Sequence, residues 1–402
     1  MANSLASDFK DRFQRYIGKP LLEGVILRGL SNFRIGGPAD YFFEAATAAD
    51  LRAAIQAARE SGLPHYVMGG GFNLLFDDAG FRGLLIKIVL RGIEFLEAEV
   101  GAGIVAHAEA GADAGAEAEP ENRPGVRAFA GAGEAVGAEA GAMAGGGAVA
   151  REGAGTELGA VPFAAAGLWI AAEARDGERE RERERNVQIR AVAGEPIGDL
   201  VEFAAAHDLA GIEFLAGIPG TVGGAVYGNA GAFGWAIGDF LDEALILGSD
   251  GVEFRVGRDF FEFGYRHSKL KARHDLLLEA VFSLKLGNRE SIRAKISEYL
   301  ALREEKHPPP ETAYAGSYFK NPVRPDGTKT AAGYLLEQAG ARGKRIGGAA
   351  VSACHCNFIV NENNATARDV LALAEVLKGL VRAKFGIELE EEVIFVPAAG
   401  PC

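Results

Sequence analysis

Apolar positions along the chain come in short runs with two distinct periods. Between Asn32 and Ile88, residues 41–44 read as a strand, and Leu51, Ile55 and Ala58 recur at helical spacing, predicting a helix over 49–61 that Gly62 and Pro64 stop. Further strands are expected over 66–68 and 84–89, the first running directly into Gly69-Gly70-Gly71. This alternation predicts an α+β domain built around a glycine loop. Beyond Asn186 the pattern resumes with a strand over 187–192, a helix over 197–207, strands over 244–247, 252–255 and 276–286, and a helix over 289–306 with Ile292, Ile296 and Leu300 on one face. Three prolines after His307 form a stiff linker, because each fixes φ and biases its predecessor away from helix. A helix over 334–340, a strand over 357–360, a helix over 367–385 stopped by Gly386, and a strand over 392–396 follow.

Between these patterned regions lies a stretch of different character. About half of residues 97–186 are Ala or Gly, with Glu interspersed, and the stretch ends in four Glu-Arg pairs from Glu178 to Arg185. Such a segment buries too little surface to offset its ordering entropy, so it is expected to be a disordered or loosely ordered insertion. The expected organisation is therefore residues 1–96, an insertion over 97–186, a second subdomain over 187–306 and a C-terminal domain over 307–402.

Composition narrows the partners. The 402 residues suffice for two or three domains, and 55 glycines are roughly twice average usage. A net charge of −13 argues against nonspecific binding to nucleic acid or to anionic membranes. Three cysteines form no even framework and seven scattered histidines show no paired metal spacing, so a reducing, cytoplasmic setting and no metal are expected. Asp8, Lys10, Asp11 and Arg12 interrupt any early apolar run, so no signal peptide is expected. The uncharged stretch from Leu215 to Gly238 is long enough to span a bilayer, but its eight glycines and Pro219 argue against a membrane helix.

Several constellations could carry chemistry. The loop Gly69-Gly70-Gly71-Phe72-Asn73-Leu74 is either a tight turn or a concavity of backbone N–H groups suited to a diphosphate. The run Ile218-Pro219-Gly220-Thr221-Val222-Gly223-Gly224-Ala225, continuing to Asn229, is either a packing seam or a backbone laid against a flat ligand. Arg266, after Gly264-Tyr265, could clamp a carboxylate, and Ser317, beside Lys320 and Asn321, could donate a proton. Glu392 enters an apolar strand, the setting in which a carboxyl can hold a proton and donate it. Six basic residues between Lys320 and Arg345 suggest a local anion site. Cys354-His355-Cys356 is too short to close a tetrahedral metal site.

Taken in order, Asn32 to Asp40, the Gly69 loop, the Gly217 to Gly234 run, Gly264-Tyr265-Arg266, Gly316 to Pro322 and Val351 to Asn361 closely resemble the UDP-N-acetylenolpyruvoylglucosamine reductases of bacterial cell-wall synthesis. His355, and the short route from Ser317 to the 334–340 helix, resemble the second subtype of that family. The resemblance implies an α+β fold: a two-subdomain FAD-binding module of the vanillyl-alcohol-oxidase type plus a C-terminal α+β substrate domain. It implies FAD bound by Arg34, Ile35, Gly36, Gly37, Gly69, Gly70, Gly71, Phe72, Asn73, Leu74, Ile218, Pro219, Gly220, Thr221, Gly223, Gly224, Ala225 and Asn229. Arg266, Ser317 and Glu392 would be catalytic, and Tyr265, Lys320 and Asn321 would hold a UDP-sugar enolpyruvate substrate. NADPH would reduce FAD, and the enzyme would act as a cytoplasmic monomer. Where the family usually has serine this chain has Phe72, and losing that hydroxyl could cost about 1.5–3 kcal/mol of cofactor binding. Another flavin oxidoreductase of the same fold, or a noncatalytic flavin-binding descendant, are the alternatives.

Overall fold

The structure, a computed structural model, describes residues 2–96, 186–323 and 327–400. Apart from Asn186, the expected insertion over 97–186 and its Glu-Arg run lie outside the described residues, as do Arg324 and Cys402.

The first lobe carries a four-stranded sheet in the order Leu22–Ile26, Pro38–Ala45, Phe81–Ile88, His65–Met68. The last three strands run parallel, and Leu22–Ile26 joins them antiparallel. The helix Ala48–Glu60 covers one face with Leu51, Ile55 and Ala58 buried as their spacing predicts. Thr47 starts it through a capping box with Asp50, which satisfies two N–H groups that would otherwise lack partners. A helix that the sequence reading passed over, Ala2–Tyr16, adds fully buried Phe9 and Phe13 to the same core.

The second lobe is an antiparallel sheet in the order Glu253–Gly257, Leu241–Leu247, Leu276–Leu286, Val187–Val192, Ile93–Phe95. Its edge strand Ile93–Phe95 thus comes from the segment preceding residue 97, so both sides of the 97–186 stretch enter one sheet. The helices Ile197–Ala206 and Arg289–Lys306 flank it. On the latter, Ile292 and Tyr299 are the buried positions, whereas Leu300, expected on the buried face, is exposed. It lies against Gly217, a residue without a side chain to cover it.

Uncharged residues 215–238 run from the last residue of the 3-10 turn Glu213–Leu215 through the short helix Val222–Gly228 and the hairpin Gly231–Ala232 with Trp235–Ala236 to the start of a second 3-10 turn, Ile237–Asp239. Among the described residues no helix is long and apolar enough to cross a membrane.

After Lys306 the chain forms a third lobe: a small antiparallel sheet of Ala313–Tyr314, Ile359–Asn361, Ala349–Val351 and Arg345–Ile346, packed under the helices Ala332–Gln338 and Ala367–Phe385. Its core is not separate from the first lobe, because Phe33, Ile35 and Leu75 pack into it. Asn32 and Asn361 reinforce that contact, donating to the carbonyls of Tyr314 (2.6 Å) and Phe33 (3.0 Å). The strand expected over 392–396 is shorter, Ile394–Val396. It returns to pair in parallel with Leu74–Phe76, the strand that follows the triple-glycine loop.

His307 caps the 289–306 helix and packs against the ring of Phe358 at 5.0 Å. Burial, aided by Arg303 and His355, lowers its imidazole to about 4. The unfolded chain then takes up a proton first, near pH 6.5, and the folded chain only near 4. This contribution is therefore present above pH 6.5 and is lost as pH falls toward 4. Thermal melts should show a falling Tm across that window, and His307→Phe should flatten part of the slope; an unchanged slope would assign the acid sensitivity to other groups.

Candidate active site

The two glycine segments meet. Gly69 to Asn73 link His65–Met68 to Leu74–Phe76, and Ile218 to Thr221 lead into the helix Val222–Gly228. A Cβ placed on Gly69 would lie 2.5 Å from Thr221 Oγ1, and one on Gly70 would lie 2.6 Å from the Phe72 ring and 3.6 Å from Gly220 Cα. No side chain could grow on either glycine without pushing a neighbour aside. Together they line a cavity of about 610 Å³, with Gly70 and Phe72 from the first loop and Gly217 to Thr221 from the second. Backbone surfaces free of side chains and facing one cavity suit a flat cofactor carrying a diphosphate, because N–H groups can approach its oxygens. The residues present fit FAD.

The remaining walls come from residues that the sequence reading missed: Lys87 to Val89, Arg91, Gly194, Pro196 and Gly198. Phe72, where the family resemblance leads one to expect serine, rests its ring on Gly70 and is 36% exposed, so the cavity has an aromatic face there.

The other expected cofactor residues have contacts within the fold. Ile35 is buried in the third-lobe core. Gly36 and Gly37 allow close packing on Leu27, Phe76 and the carbonyl of Asp78. Arg34, with φ of 53°, and its three successors are not among the residues lining the cavity. Gly71 lies under the carbonyl of Leu30, Leu74 is a buried strand residue, Gly223 packs on Ala193, and Ala225 is buried. Gly224 donates to the Thr221 hydroxyl at 3.4 Å. Asn229 is buried, donates to the carbonyl of Gly264 (2.9 Å) and accepts from the N–H of Gly238 (3.1 Å), so it holds the turn that carries Arg266.

The three expected catalytic residues come from distant stretches, and two of them touch. Arg266 Nε donates to Glu392 Oε1 at 2.5 Å, and its Nη1 donates to the carbonyl of Gly231 at 3.1 Å. Nη2 makes no hydrogen bond among the described residues. Glu392 accepts the Nε bond through one carboxyl oxygen. Its backbone is held from both sides, the N–H donating to the carbonyl of Tyr318 (2.8 Å) and the carbonyl accepting from Asn73 Nδ2 (2.9 Å). Half-buried Ser317 precedes Tyr318, so this bond brings the Ser317 segment and Glu392 together. Asn357, itself buried, steadies that segment by accepting from the N–H of Phe319 and donating to its carbonyl.

Around the trio lie the expected substrate residues. The Tyr265 hydroxyl accepts from the N–H of Asn321 at 3.2 Å, and its ring lies 5.3 Å from the Arg266 guanidinium and 4.4 Å from Lys329 Nζ. Asn321 Oδ1 in turn accepts from the N–H of Ala332, and Lys320 pairs with Glu390 at 2.9 Å. The expected single basic patch is divided: Lys320 and Lys329 belong to this region, while Arg342 and Arg345 pair on the surface with Glu337 and Glu362. Cys354-His355-Cys356 forms the turn that delivers Asn357, whose N–H donates to His355 Nδ1 at 3.1 Å. Burial, and then the bond to Glu337, push the Cys356 thiol up to about 12.

Comparison with known proteins agrees with this layout. The description "UDP-N-acetylenolpyruvoylglucosamine reductase, C-terminal domain" matches residues 308–396, and "FAD binding domain" matches 39–156 and 149–257. The UDP-N-acetylenolpyruvoylglucosamine reductase of Geotalea uraniireducens is 34% identical over 365 residues, covering 90% of this chain and 89% of its own. That of Lachnoclostridium phytofermentans is 33% identical over 363 residues, covering 90% and 88%. The crystal structure of the Thermus caldophilus enzyme aligns with a TM-score of 0.58 at 24% identity, covering 92% of this chain and 97% of that one. The architecture is thus an N-terminal FAD-binding module plus a C-terminal α+β domain.

Gly69→Ala should force Thr221 away and part the two loops. Titrating the apoprotein with FAD should show affinity reduced about tenfold, a loss near 1.4 kcal/mol. Adding Thr221→Ala should recover part of it, and an unaltered affinity in Gly69→Ala would separate this contact from cofactor binding.

Proposed function

This chain belongs to the UDP-N-acetylenolpyruvoylglucosamine reductase family, and from that membership and the geometry of the cleft we propose which residues carry its chemistry. It is an FAD-dependent oxidoreductase that uses NADPH to reduce UDP-N-acetylglucosamine enolpyruvate to UDP-N-acetylmuramate, a step of peptidoglycan precursor synthesis. When bound, FAD supplies a hydride obtained from NADPH to C3 of the enol ether. Gly70, Phe72 and Ile218 to Thr221 would line its cradle, and Gly69, Gly71, Asn73, Leu74, Gly223 to Ala225, Arg34 to Gly37 and Asn229 would set the course of the backbone around it.

Hydride addition at C3 builds negative charge at C2 and on the adjoining carboxylate. Arg266 stabilises that charge through Nη2, the guanidinium nitrogen that makes no hydrogen bond among the described residues. Glu392 holds the guanidinium by Nε and fixes the direction in which its outer nitrogens face. Ser317 gives the proton to C2. Tyr265, Lys320 and Asn321 hold the UDP-sugar, with the hydroxyl of Tyr265 tied to the backbone of Asn321. We also read the enzyme as a cytoplasmic monomer, in keeping with the free thiols of Cys354 and Cys356.

The Arg266–Glu392 pair, joined across 126 residues, with Glu392 bonded through its N–H to the carbonyl of Tyr318 beside Ser317, carries this reading. Phe72 favours the rival reading, a flavin binder without catalysis. The two separate in a single cuvette: a yellow protein should consume NADPH only when the enolpyruvyl sugar is added, and flavin-replete protein without such turnover would support the rival. Ser317→Ala should slow substrate reduction about 10²- to 10⁴-fold while flavin reduction by NADPH stays within about twofold. Equal loss in both half-reactions would remove Ser317 from the proton transfer.

A further inference from the structure

Arg266 holds φ of 53°, a left-handed conformation that a residue with a Cβ adopts only where its surroundings impose it. Part of the constraint is local, since Gly264 and His267 exchange N–H to carbonyl bonds around it at 3.1 and 3.2 Å. Lys271 makes a further contact with this turn. Its Nζ donates to the Arg266 carbonyl at 2.7 Å and lies 5.4 Å from the centre of the Tyr227 ring. The short helix carrying it, Leu270–Arg273, is seated by buried Leu270 and by Ser268, whose hydroxyl donates to the carbonyl of Tyr227 at 2.7 Å. The lysine end of this bond is therefore anchored, through Ser268 and the ammonium itself, to Tyr227 of the helix Val222–Gly228, which follows the second glycine loop.

We propose that Lys271 is a positioning residue, locking the Arg266 backbone so that the guanidinium faces the reacting carbons at the distance set by Glu392. The inference rests on the reductase reading above. An ammonium here is expensive: burial lowers its pKa, neighbouring Lys320 and Arg266 act in the same direction, and Glu392 opposes them. A surface lysine with no task would turn outward, since its stem is long and flexible. This one stays beneath Arg266 because a charge-assisted bond to a carbonyl is about twice as strong as a neutral one.

The test uses the FAD-loaded protein and follows each half-reaction by rapid mixing. Lys271→Met keeps the stem against Tyr227 and removes the donor. It should slow substrate reduction about 10- to 100-fold, with flavin reduction by NADPH within about twofold. Lys271→Arg, which restores a donor, should recover most of the rate. In the free protein the guanidinium Nε–H resonance of Arg266 should move or broaden in Lys271→Met and return in Lys271→Arg. Unimpaired substrate reduction in Lys271→Met, equal slowing of both half-reactions, or an unmoved Arg266 resonance would each overturn the proposal. If wild-type protein shows no reaction with the enolpyruvyl sugar, the reductase reading fails, while the resonance still reports on Lys271.

Discussion

The parallel pairing of Ile394–Val396 with Leu74–Phe76 is the contact on which the site depends. It joins the end of the chain to the strand that leaves the triple-glycine loop, and the register is continued outward by Asn73. The Asn73 carbonyl accepts from Ile394 at 3.0 Å and its side chain donates to the Glu392 carbonyl. A slip of one residue would turn the side chain of Glu392 away from Arg266, because side chains alternate faces along an extended chain. The pairing is secured by fully buried Leu75 and Phe76, and removing a ring such as that of Phe76 from a packed core costs about 3–5 kcal/mol. The stability of the first lobe and the placement of the carboxyl are thus one quantity.

The same economy runs through the second lobe. Asn229 spans the helix end at Gly228 and the turn at Gly264, and the hairpin strand that begins at Gly231 supplies the carbonyl that takes Arg266 Nη1. Arg303 reaches across from the 289–306 helix to the carbonyls of Phe214 and Ala216, bracing the approach to the glycine loop at Gly217. The backbone that lines the cavity and the backbone that carries the guanidinium are consequently fixed by one set of polar contacts. A charge aimed in advance at a developing anion needs no reorganisation during reaction, which is the source of its catalytic value.

Periodicity was a good guide wherever an element faces a core along its whole length. The strands 187–192 and 276–286 and the helices 289–306 and 367–385 have the bounds expected of them. It failed where tertiary contact decides. Leu74–Phe76 is three buried residues with no alternation to read, and its partner is more than 300 residues away. Leu300 follows the helical period, yet it meets a bare glycine and stays exposed, while Tyr299 turns in to stack on Phe233 at 4.2 Å. The N-terminal helix did leave a signal, Phe9 and Phe13 four residues apart, both buried. Among site residues, the motifs marked Arg266, Ser317 and Glu392, but the cavity walls at Lys87 and Gly194 follow only from strand pairing, and Lys271 reads in sequence as an ordinary surface lysine.

Phe72 shows how such a site can absorb a change of residue type. Serine at that position would offer a hydroxyl to a phosphate, whereas the aromatic ring offers only area and lies against Gly70, near the Gly220 Cα. The glycines make that possible, since the flat ring rests where any side chain at Gly70 would collide with it. The loop amides remain, because they belong to a backbone whose course is set by Thr221 opposite and by the Leu74–Phe76 strand behind. Where backbone amides do most of the holding, losing one side-chain donor costs about 1.5–3 kcal/mol and leaves the rest in place. A substitution that altered the backbone path would have no such remedy. The contacts of Gly69 with Thr221 and of Gly70 with the Phe72 ring put the constraint on the shape of this loop.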